Sequence, residues 1–214
     1  MHAIIDVASD VGAVADRLAA AGVETVIRYY NHRNSTALPS KCLTRPERDA
    51  LHRAGLAVAV VFQQRGGAGG AIEDFDAENG ARDAARALAL AEGLGQPHGS
   101  AIYFAVDWDF ADDAALSRIG AHFDRIRTAL DGRFAVGVYG SGLIGTRLLR
   151  DGLADHVWLA WDTTWSGTRA ALADGSWSLF QSAPHLTSAI GGFGYDGNVA
   201  NPAIPDFGAS AATG

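Results

Sequence analysis

Short apolar segments alternate along the chain with segments typical of helices, and turn-forming residues separate the two kinds. Strands are predicted at residues 2–8, 25–30, 57–63, 101–109 and 134–141, each followed by a helix. After the helix at residues 143–153 the pattern changes, and strands at 156–162, 177–182 and 194–198 follow with little helix between them. Five strand–helix units and three further strands predict a parallel sheet that closes into a TIM-like α/β barrel of (β/α)5β3 type.

Side-chain alternation within the strands supports closure of the sheet. One face of the fourth predicted strand carries small or polar residues, namely Ala101, Tyr103, Ala105, Asp107 and Asp109. The other face carries bulky residues, namely Ile102, Phe104, Val106 and Trp108. Because alternate residues of a strand point to opposite faces, we expect the first set inside the barrel and the second under the helices. An open doubly wound sheet is the alternative.

Four carboxylates are predicted at strand ends. Asp107 and Asp109 would leave the fourth strand side by side, and Asp6 ends the first strand. Asp196 lies in the last strand, which neighbours the first in a closed barrel. Such barrels carry their active sites at the carboxyl ends of the strands, and paired carboxylates serve acid–base chemistry on sugars or bind divalent metals. Taken singly, Asp6 could be a polar strand end and Asp196 a turn former.

Polar and aromatic side chains are expected around these acids. Tyr139 lies on the inward face of the fifth strand, where it would contact a sugar or simply line the core. Arg28 and Gln181 are candidate polar liners, although Arg28 could instead pair with one of the acids. Trp161 and Trp165 follow the sixth strand and are candidate platforms for sugar rings, with core packing as the alternative for any tryptophan.

The composition indicates one compact domain. The chain has 214 residues, of which 48% are apolar and only 19% charged, which argues against disorder. A net charge of −7 gives no reason to expect a nucleic-acid partner or attraction to an anionic membrane. Cys42 is the only cysteine, so neither an internal disulfide nor a thiol zinc cluster can form. We expect no cofactor and a monomer.

The ends of the chain carry no targeting signal that the sequence reveals. The first residues resemble neither a signal peptide nor a spanning helix, so cytoplasmic location, a mature form, an excised domain or export without a cleaved signal all stay open. A single domain is expected over residues 1–202, with a flexible tail at 203–214. The glycine-rich segment 65–70 is expected to form a flexible rim.

Several segments resemble known glycan hydrolases. Residues 4–9 (Ile-Ile-Asp-Val-Ala-Ser) resemble the opening strand of glycoside hydrolase family 25 lysozymes, and Asp107-Trp108-Asp109 resembles their Asp-x-Glu motif. Residues 177–181 and 195–198 resemble the closing strands of those enzymes. A bacterial glycoside hydrolase-like domain family is more similar still, on residues 28–30, 43–44, 54–56, 102–107 and 136–141. The resemblance spans residues 4–201.

This resemblance implies a (β/α)5β3 barrel that cleaves β-1,4 bonds of bacterial cell-wall glycan, peptidoglycan or a related amino-sugar polymer, outside the cell. It implies Asp109 as the proton donor, although the lysozymes carry a glutamate there, one methylene longer. Asp107 would orient an N-acetyl group or stabilise positive charge on the sugar, and Asp6 and Asp196 would tune the acids or position water. The alternatives are a non-catalytic glycan-binding module and a metal-dependent hydrolase that uses the four aspartates as ligands.

Overall fold

A computed structural model describes residues 1–66 and 70–211 of the chain. Within these residues, eight strands close into one barrel and follow one another around it in sequence order. The strands are β1 (Ile4–Asp6), β2 (Thr25–Tyr30), β3 (Ala57–Phe62), β4 (Ala101–Ala105), β5 (Ala135–Gly140), β6 (His156–Leu159), β7 (Leu179–Thr187) and β8 (Gly194–Ala200). The helices are α1 (Ala15–Ala20), α2 (Arg45–Arg53), α3 (Ala77–Leu94), α4 (Asp113–Leu130), α5 (Gly142–Arg150) and α6 (Thr168–Asp174).

Strand directions confirm the predicted barrel and contradict the open sheet. Strands β1 to β7 pair in parallel with their neighbours, whereas β8 is antiparallel to both β7 and β1 and closes the ring. The expected (β/α)5β3 pattern is confirmed, with one short helix, α6, after β6. Its seven residues, bounded by Gly167 and Gly175 at positive φ, are too few to show a helical period in the sequence.

Two apolar cores lie on the two faces of the sheet, as the alternation predicted. The inner core is formed by residues that include Ile27, Ala59, Val61, Tyr103, Trp158 and Leu179. The outer core, between sheet and helices, includes Ile102, Phe104, Val136 and Val138. The inner core has room for the Tyr103 ring because the facing residue is Gly137, which has no side chain. A Cβ at Gly137 would lie 2.4 Å from Cδ1 of the Tyr103 ring. Side chains therefore fill the interior, and any ligand must bind at an end.

The amino-terminal end of the barrel is closed by residues 207–210. The carbonyl of Gly208 accepts a hydrogen bond from Ala101 N at 2.9 Å, and Ser210 forms a bridge with Val58. The Tyr103 hydroxyl, from inside the barrel, donates to the carbonyl of Phe207 at 2.8 Å. The expectation of a flexible tail from residue 203 onward is therefore wrong for this part, since buried strand ends offer it hydrogen-bond partners; residues 212–214 lie outside the described part.

Strand β4 ends earlier than predicted, and this changes the geometry of the candidate acids. Its last paired residue is Ala105, opposite Tyr139, and the Val106 N–H makes one further bond to the Tyr139 carbonyl at 2.8 Å. Asp107 and Asp109 consequently lie in the loop that leads to α4, where strand alternation no longer applies. Among the described helices, none combines the length and apolar character needed to cross a membrane.

Candidate active site

A cleft of about 310 Å³ opens at the carboxyl ends of the strands. Its lining includes Tyr29, Gln63, Asp107, Trp108, Tyr139, Trp161, Trp165, Gln181, His185 and Asp196. A groove of about 550 Å³ adjoins it, bordered by Asp6 and sharing Tyr29, His185 and Asp196 with the cleft. The cleft reaches from β2 to β8 and the groove adds β1, so the two form one extended, open depression at this end of the barrel.

Closure of the barrel brings Asp6 and Asp196 together, as predicted. The two residues are directly paired in the antiparallel register of β1 and β8. Gln181, on β7, reaches both carboxylates through its Nε2, at 3.4 Å from Asp6 Oδ2 and 2.7 Å from Asp196 Oδ2. The first strand and the last two strands of the chain thus place two acids around one amide.

The surroundings of Asp6 strongly alter its protonation. Burial raises its pKa to about 7, and the nearby charge of Asp196 adds to the rise. Hydrogen bonds from Asn198 Nδ2 at 2.9 Å, from the Tyr29 hydroxyl at 3.0 Å and from Gln181 oppose the shift. A carboxyl group with this pKa holds a proton up to neutral pH, which is the property a general acid needs.

Asp107 forms the wall of the cleft on the β3–β4 side. Its Oδ2 accepts a hydrogen bond from Gln63 Nε2 at 3.1 Å. The backbone at Gly66 passes so close that a Cβ there would lie 2.4 Å from the same oxygen. Backbone and amide together therefore restrict where this carboxylate can point.

Tyr139 lies where the electrostatic effects of three carboxylates overlap. Its pKa is raised well above the ordinary value by burial first, and then by Asp107, Asp6 and Asp196. The hydroxyl donates to Gln181 Oε1 at 3.0 Å. Tyr139 and Gln181 are thus hydrogen-bonded to each other beside the acids, and both are among the residues that line the cleft.

Asp109 is turned away from this group. Both of its carboxylate oxygens accept hydrogen bonds from Ser166: the backbone N–H lies at 3.0 and 3.1 Å and the hydroxyl at 3.0 Å from Oδ2. Asp109 is not among the described residues that line the cleft. The expectation that Asp107 and Asp109 emerge side by side is wrong, because β4 has already ended at Ala105.

The position of Trp108 also differs from the one that strand parity predicted. Its side chain is 46% exposed and lines the cleft, whereas parity placed it under a helix. Trp161, 45% exposed, and the half-buried Trp165 line the same cleft. Trp158 forms part of the interior floor and donates through Nε1 to Asn198 Oδ1 at 2.9 Å. The cleft therefore has accessible aromatic faces beside its acids.

Arg28 lies on the opposite side of the sheet from the cleft, so its expected contact with substrate is wrong. It is fully buried beneath α2 and pairs with Glu47, at 2.7 Å from Nε to Oε1 and 3.0 Å from Nη2 to Oε2. Nη2 also donates to the carbonyl of Ser40 at 2.9 Å. The reason is parity: Ile27 lies in the inner core, so Arg28 must face the helices.

Three residues of the site, Tyr29, Asn198 and Gln63, were absent from the sequence-based prediction. Tyr29 and Asn198 bind Asp6, Gln63 binds Asp107, and the backbone N–H of His185 donates to Asp196 Oδ1 at 2.6 Å. Inward parity on β2 could have identified Tyr29, and the Asp-x-Asn spacing on β8 could have identified Asn198. Within the described residues, no group of three His, Cys, Asp or Glu side chains is arranged to hold a metal ion.

Residues 16–190 match the family model of the Rv2525c-like, glycoside hydrolase-like domain. The chain belongs to this family. Two uncharacterized Bacillus subtilis proteins are similar in sequence to this Rv2525c-like domain. YbfG is 31% identical over 173 residues, which make up 75% of this chain and 23% of YbfG. FadG is 30% identical over 144 residues, 65% of this chain and 24% of FadG, so the chain spans about a quarter of each relative.

A solved structure of the Rv2525c-like family has the same architecture. The Tat-secreted protein Rv2525c of Mycobacterium tuberculosis, crystallised in complex with L-tartrate, superposes with a TM-score of 0.81 at 23% identity, over 96% of this chain and 97% of that chain. The autolysin LytC of Streptococcus pneumoniae, solved in complex with a synthetic peptidoglycan ligand, gives a TM-score of 0.54 at 15% identity, over 90% of this chain and 45% of LytC. At these identities the likeness shows a shared TIM-like barrel fold.

Proposed function

We propose that this domain is a glycoside hydrolase that cleaves β-1,4 bonds of bacterial cell-wall glycan at the cleft. The observation that carries the proposal is Asp6, a carboxyl group that keeps its proton near neutral pH beside the second acid Asp196. Glycosidases use pairs of carboxyl groups that differ in protonation. One group donates a proton, and the other stabilises the positively charged sugar.

The roles of the acids follow from their positions. Asp6, which borders the groove, donates the proton to the leaving oxygen, in place of Asp109, which is bonded to Ser166 and borders neither the cleft nor the groove. Asp196 and Asp107 stabilise positive charge on the sugar ring or orient its N-acetyl group. Asn198 and Gln181 hold Asp6 in place through hydrogen bonds.

Cell-wall glycan is the proposed substrate because of the shape and lining of the site. The extended depression suits a polymer, and Trp108, Trp161 and Trp165 offer faces on which sugar rings stack. LytC, which has the same barrel fold, was solved with a synthetic peptidoglycan ligand, and Rv2525c is a Tat-secreted protein. These similarities support action outside the cell. We also propose that the protein is a monomer.

A non-catalytic glycan-binding module is the second candidate. Asp109 stands where the resemblance implies the catalytic acid, and its hydrogen bonds to Ser166 take it out of the cleft. The domain also corresponds to only 23% of YbfG, as a module of a larger protein would. In that case the aromatic cleft would bind glycan without cleaving it.

Asp107→Asn and Asp109→Asn form a matched pair that tests the hydrolase. The two residues have the same side chain and lie in one loop, but only Asp107 lines the cleft. Incubation with peptidoglycan, followed by assay of soluble reducing ends and of pelleted protein, should show a loss of about 100-fold or more for Asp107→Asn. Asp109→Asn should keep activity within about fivefold.

Two outcomes of this assay would contradict the proposal. Wild-type protein that pellets with peptidoglycan but releases no reducing ends would favour the binding module. Equal loss in both variants, with both still folded by circular dichroism, would return the proton-donor role to Asp109.

Removal of one exposed tryptophan should weaken glycan binding in either case. Trp161→Ala is expected to raise the dissociation constant of a β-1,4 N-acetylglucosamine oligomer about five- to tenfold, since a stacking contact contributes about 1 kcal/mol. Trp161→Phe keeps an aromatic face and serves as the control. Calorimetric titration measures both constants, and equal affinity of Trp161→Ala and wild type would show that the sugar does not contact this ring.

A further inference from the structure

Lys41 is the only lysine in the chain, and all other basic side chains except the histidines are arginine. It is only 8% exposed and lies beside the mouth of the barrel. Burial lowers its pKa to about 8, while the negative charge of Asp107 opposes that shift. Because removing an ammonium group from water is costly, a buried lysine needs partners that repay the cost or a function that requires its charge.

The partners of Lys41 are two residues that bind the acids of the cleft. Nζ donates to Gln63 Oε1 at 3.0 Å, and Gln63 Nε2 in turn donates to Asp107 Oδ2 at 3.1 Å. Nζ also lies 4.8 Å from the centre of the Tyr29 ring, whose hydroxyl donates to Asp6. The ammonium group of Lys41 is thus connected through Gln63 to the acid on one side of the cleft and through Tyr29 to the acid on the other side.

The contact with Gln63 determines the direction of its amide group. An amide has an acceptor end and a donor end, and a lysine ammonium can only donate. Lys41 therefore holds the oxygen of Gln63 towards itself, which leaves the NH₂ group pointing at Asp107. Without Lys41 the amide could rotate and present its oxygen to the carboxylate, which would repel it.

The backbone around Lys41 is fixed from two sides. The N–H of Leu43 donates to the carbonyl of Tyr29 at 2.8 Å, and Cys42 forms a bridge with Tyr29. On the other side the carbonyl of Ser40 accepts from Arg28 Nη2 at 2.9 Å. The segment that carries Lys41 is therefore attached to β2, next to Asp6.

We propose that Lys41 is a positioning residue of the cleft, which orients the Gln63 amide towards Asp107 and supplies positive charge among the carboxylates. Lysine suits this place because its ammonium is compact, whereas the planar guanidinium of arginine needs more partners. An uncharged side chain of similar length, such as methionine, would fill the space without the cost of desolvation. The effect on catalysis rests on the proposed hydrolase, but the effect on the electrostatics of the cleft does not.

The single lysine allows a direct test that needs no turnover. In protein labelled with ¹³C-lysine, one Cε resonance reports the titration of Lys41, and its midpoint is expected near pH 8. Asp107→Asn should lower that midpoint by about 0.5 or more, because it removes a nearby negative charge. Asp109→Asn, two residues away but turned towards Ser166, should leave it unchanged. A midpoint near the ordinary lysine value, or one that Asp107→Asn does not move, would overturn the proposal.

Lys41→Met separates positioning from a purely structural role. Its kcat on peptidoglycan is expected to fall about 10- to 100-fold with KM changed less than about threefold, while its thermal unfolding temperature at pH 7 rises. The rise is expected because the unfolded state binds the lysine proton more tightly than the folded state, so the charged lysine opposes folding at this pH. Lower thermal stability together with unchanged kcat would assign Lys41 to the fold alone. If wild-type protein has no activity, the proposed function fails, and the ¹³C titration still decides whether Lys41 is coupled to Asp107.

Discussion

Asp6→Asn is expected to lower the rate of glycan cleavage by about 100-fold or more, because asparagine cannot donate the proton that Asp6 holds. Its amide can still accept from Asn198 and donate to the Tyr29 oxygen, so the local hydrogen bonds survive. The wild-type rate should fall as the pH rises through about 7, where Asp6 loses its proton. A pH–rate profile measures this limb, whose midpoint belongs to the Asp6–Asp196 pair as a unit.

The same variant should be more stable than wild type at alkaline pH. The pKa of Asp6 is raised from 3.8 to about 7 in the folded protein, so the folded state binds the proton more tightly than the unfolded state. Stability contributed by this proton is present below about pH 4 and is lost as the pH rises through about 7. The difference corresponds to at most about 4 kcal/mol in the free energy of unfolding at pH 8.

Urea unfolding at pH 4.5 and pH 8 checks the sign of this effect. Asp6→Asn should be close to wild type at the lower pH and more stable at the higher one. An equal difference at both values would show that the proton of Asp6 is not linked to folding, and the assignment of Asp6 as the acid would lose its main support.

The second large effect is expected from Glu47→Gln, which should lower the free energy of unfolding by about 3–5 kcal/mol. Arg28 is fully buried, and Glu47 is its only carboxylate partner among the described residues. Loss of the negative charge leaves the guanidinium uncompensated in an apolar layer beneath α2. The segment with Ser40 and Lys41 should loosen as well, since Arg28 holds the Ser40 carbonyl.

Urea unfolding with two comparison variants identifies the cause. Asp151→Asn removes an exposed ion pair with Arg147 and should cost less than about 1 kcal/mol. The double variant Arg28→Met/Glu47→Leu should recover much of the loss, because no buried charge then lacks a partner. If the double variant loses as much free energy of unfolding as Arg28→Met and Glu47→Leu lose when added together, then packing, and not charge, explains the effect.

The barrel was predictable because its pattern is repeated along the chain. Each strand contributes the same alternation, so an error at one strand end does not change the topology. The pairing of Asp6 with Asp196 followed from closure alone, because closure makes the first and last strands neighbours. The same parity places Arg28 outside the barrel, because its neighbour Ile27 faces inward.

The role of Asp109 and the place of Lys41 could not be derived in this way. The apolar run continues to Val106, but hydrogen-bond partners on β5 determine where β4 ends, and these are distant in sequence. Ser166, the partner of Asp109, lies in the loop between β6 and α6. Lys41 reaches the acids because a loop folds back onto β2, and no local periodicity encodes that contact.

The hydrogen bonds between Asp109 and Ser166 connect the loops that follow β4 and β6. Trp108 directly precedes Asp109, and Trp165 directly precedes Ser166, so each bonded residue is adjacent to an aromatic residue of the cleft. The two rings are therefore carried on loops that are hydrogen-bonded to each other. A carboxylate that the sequence suggested as a proton donor thereby connects two loops of the cleft, and asparagine in its place keeps that connection because its amide oxygen still accepts from Ser166.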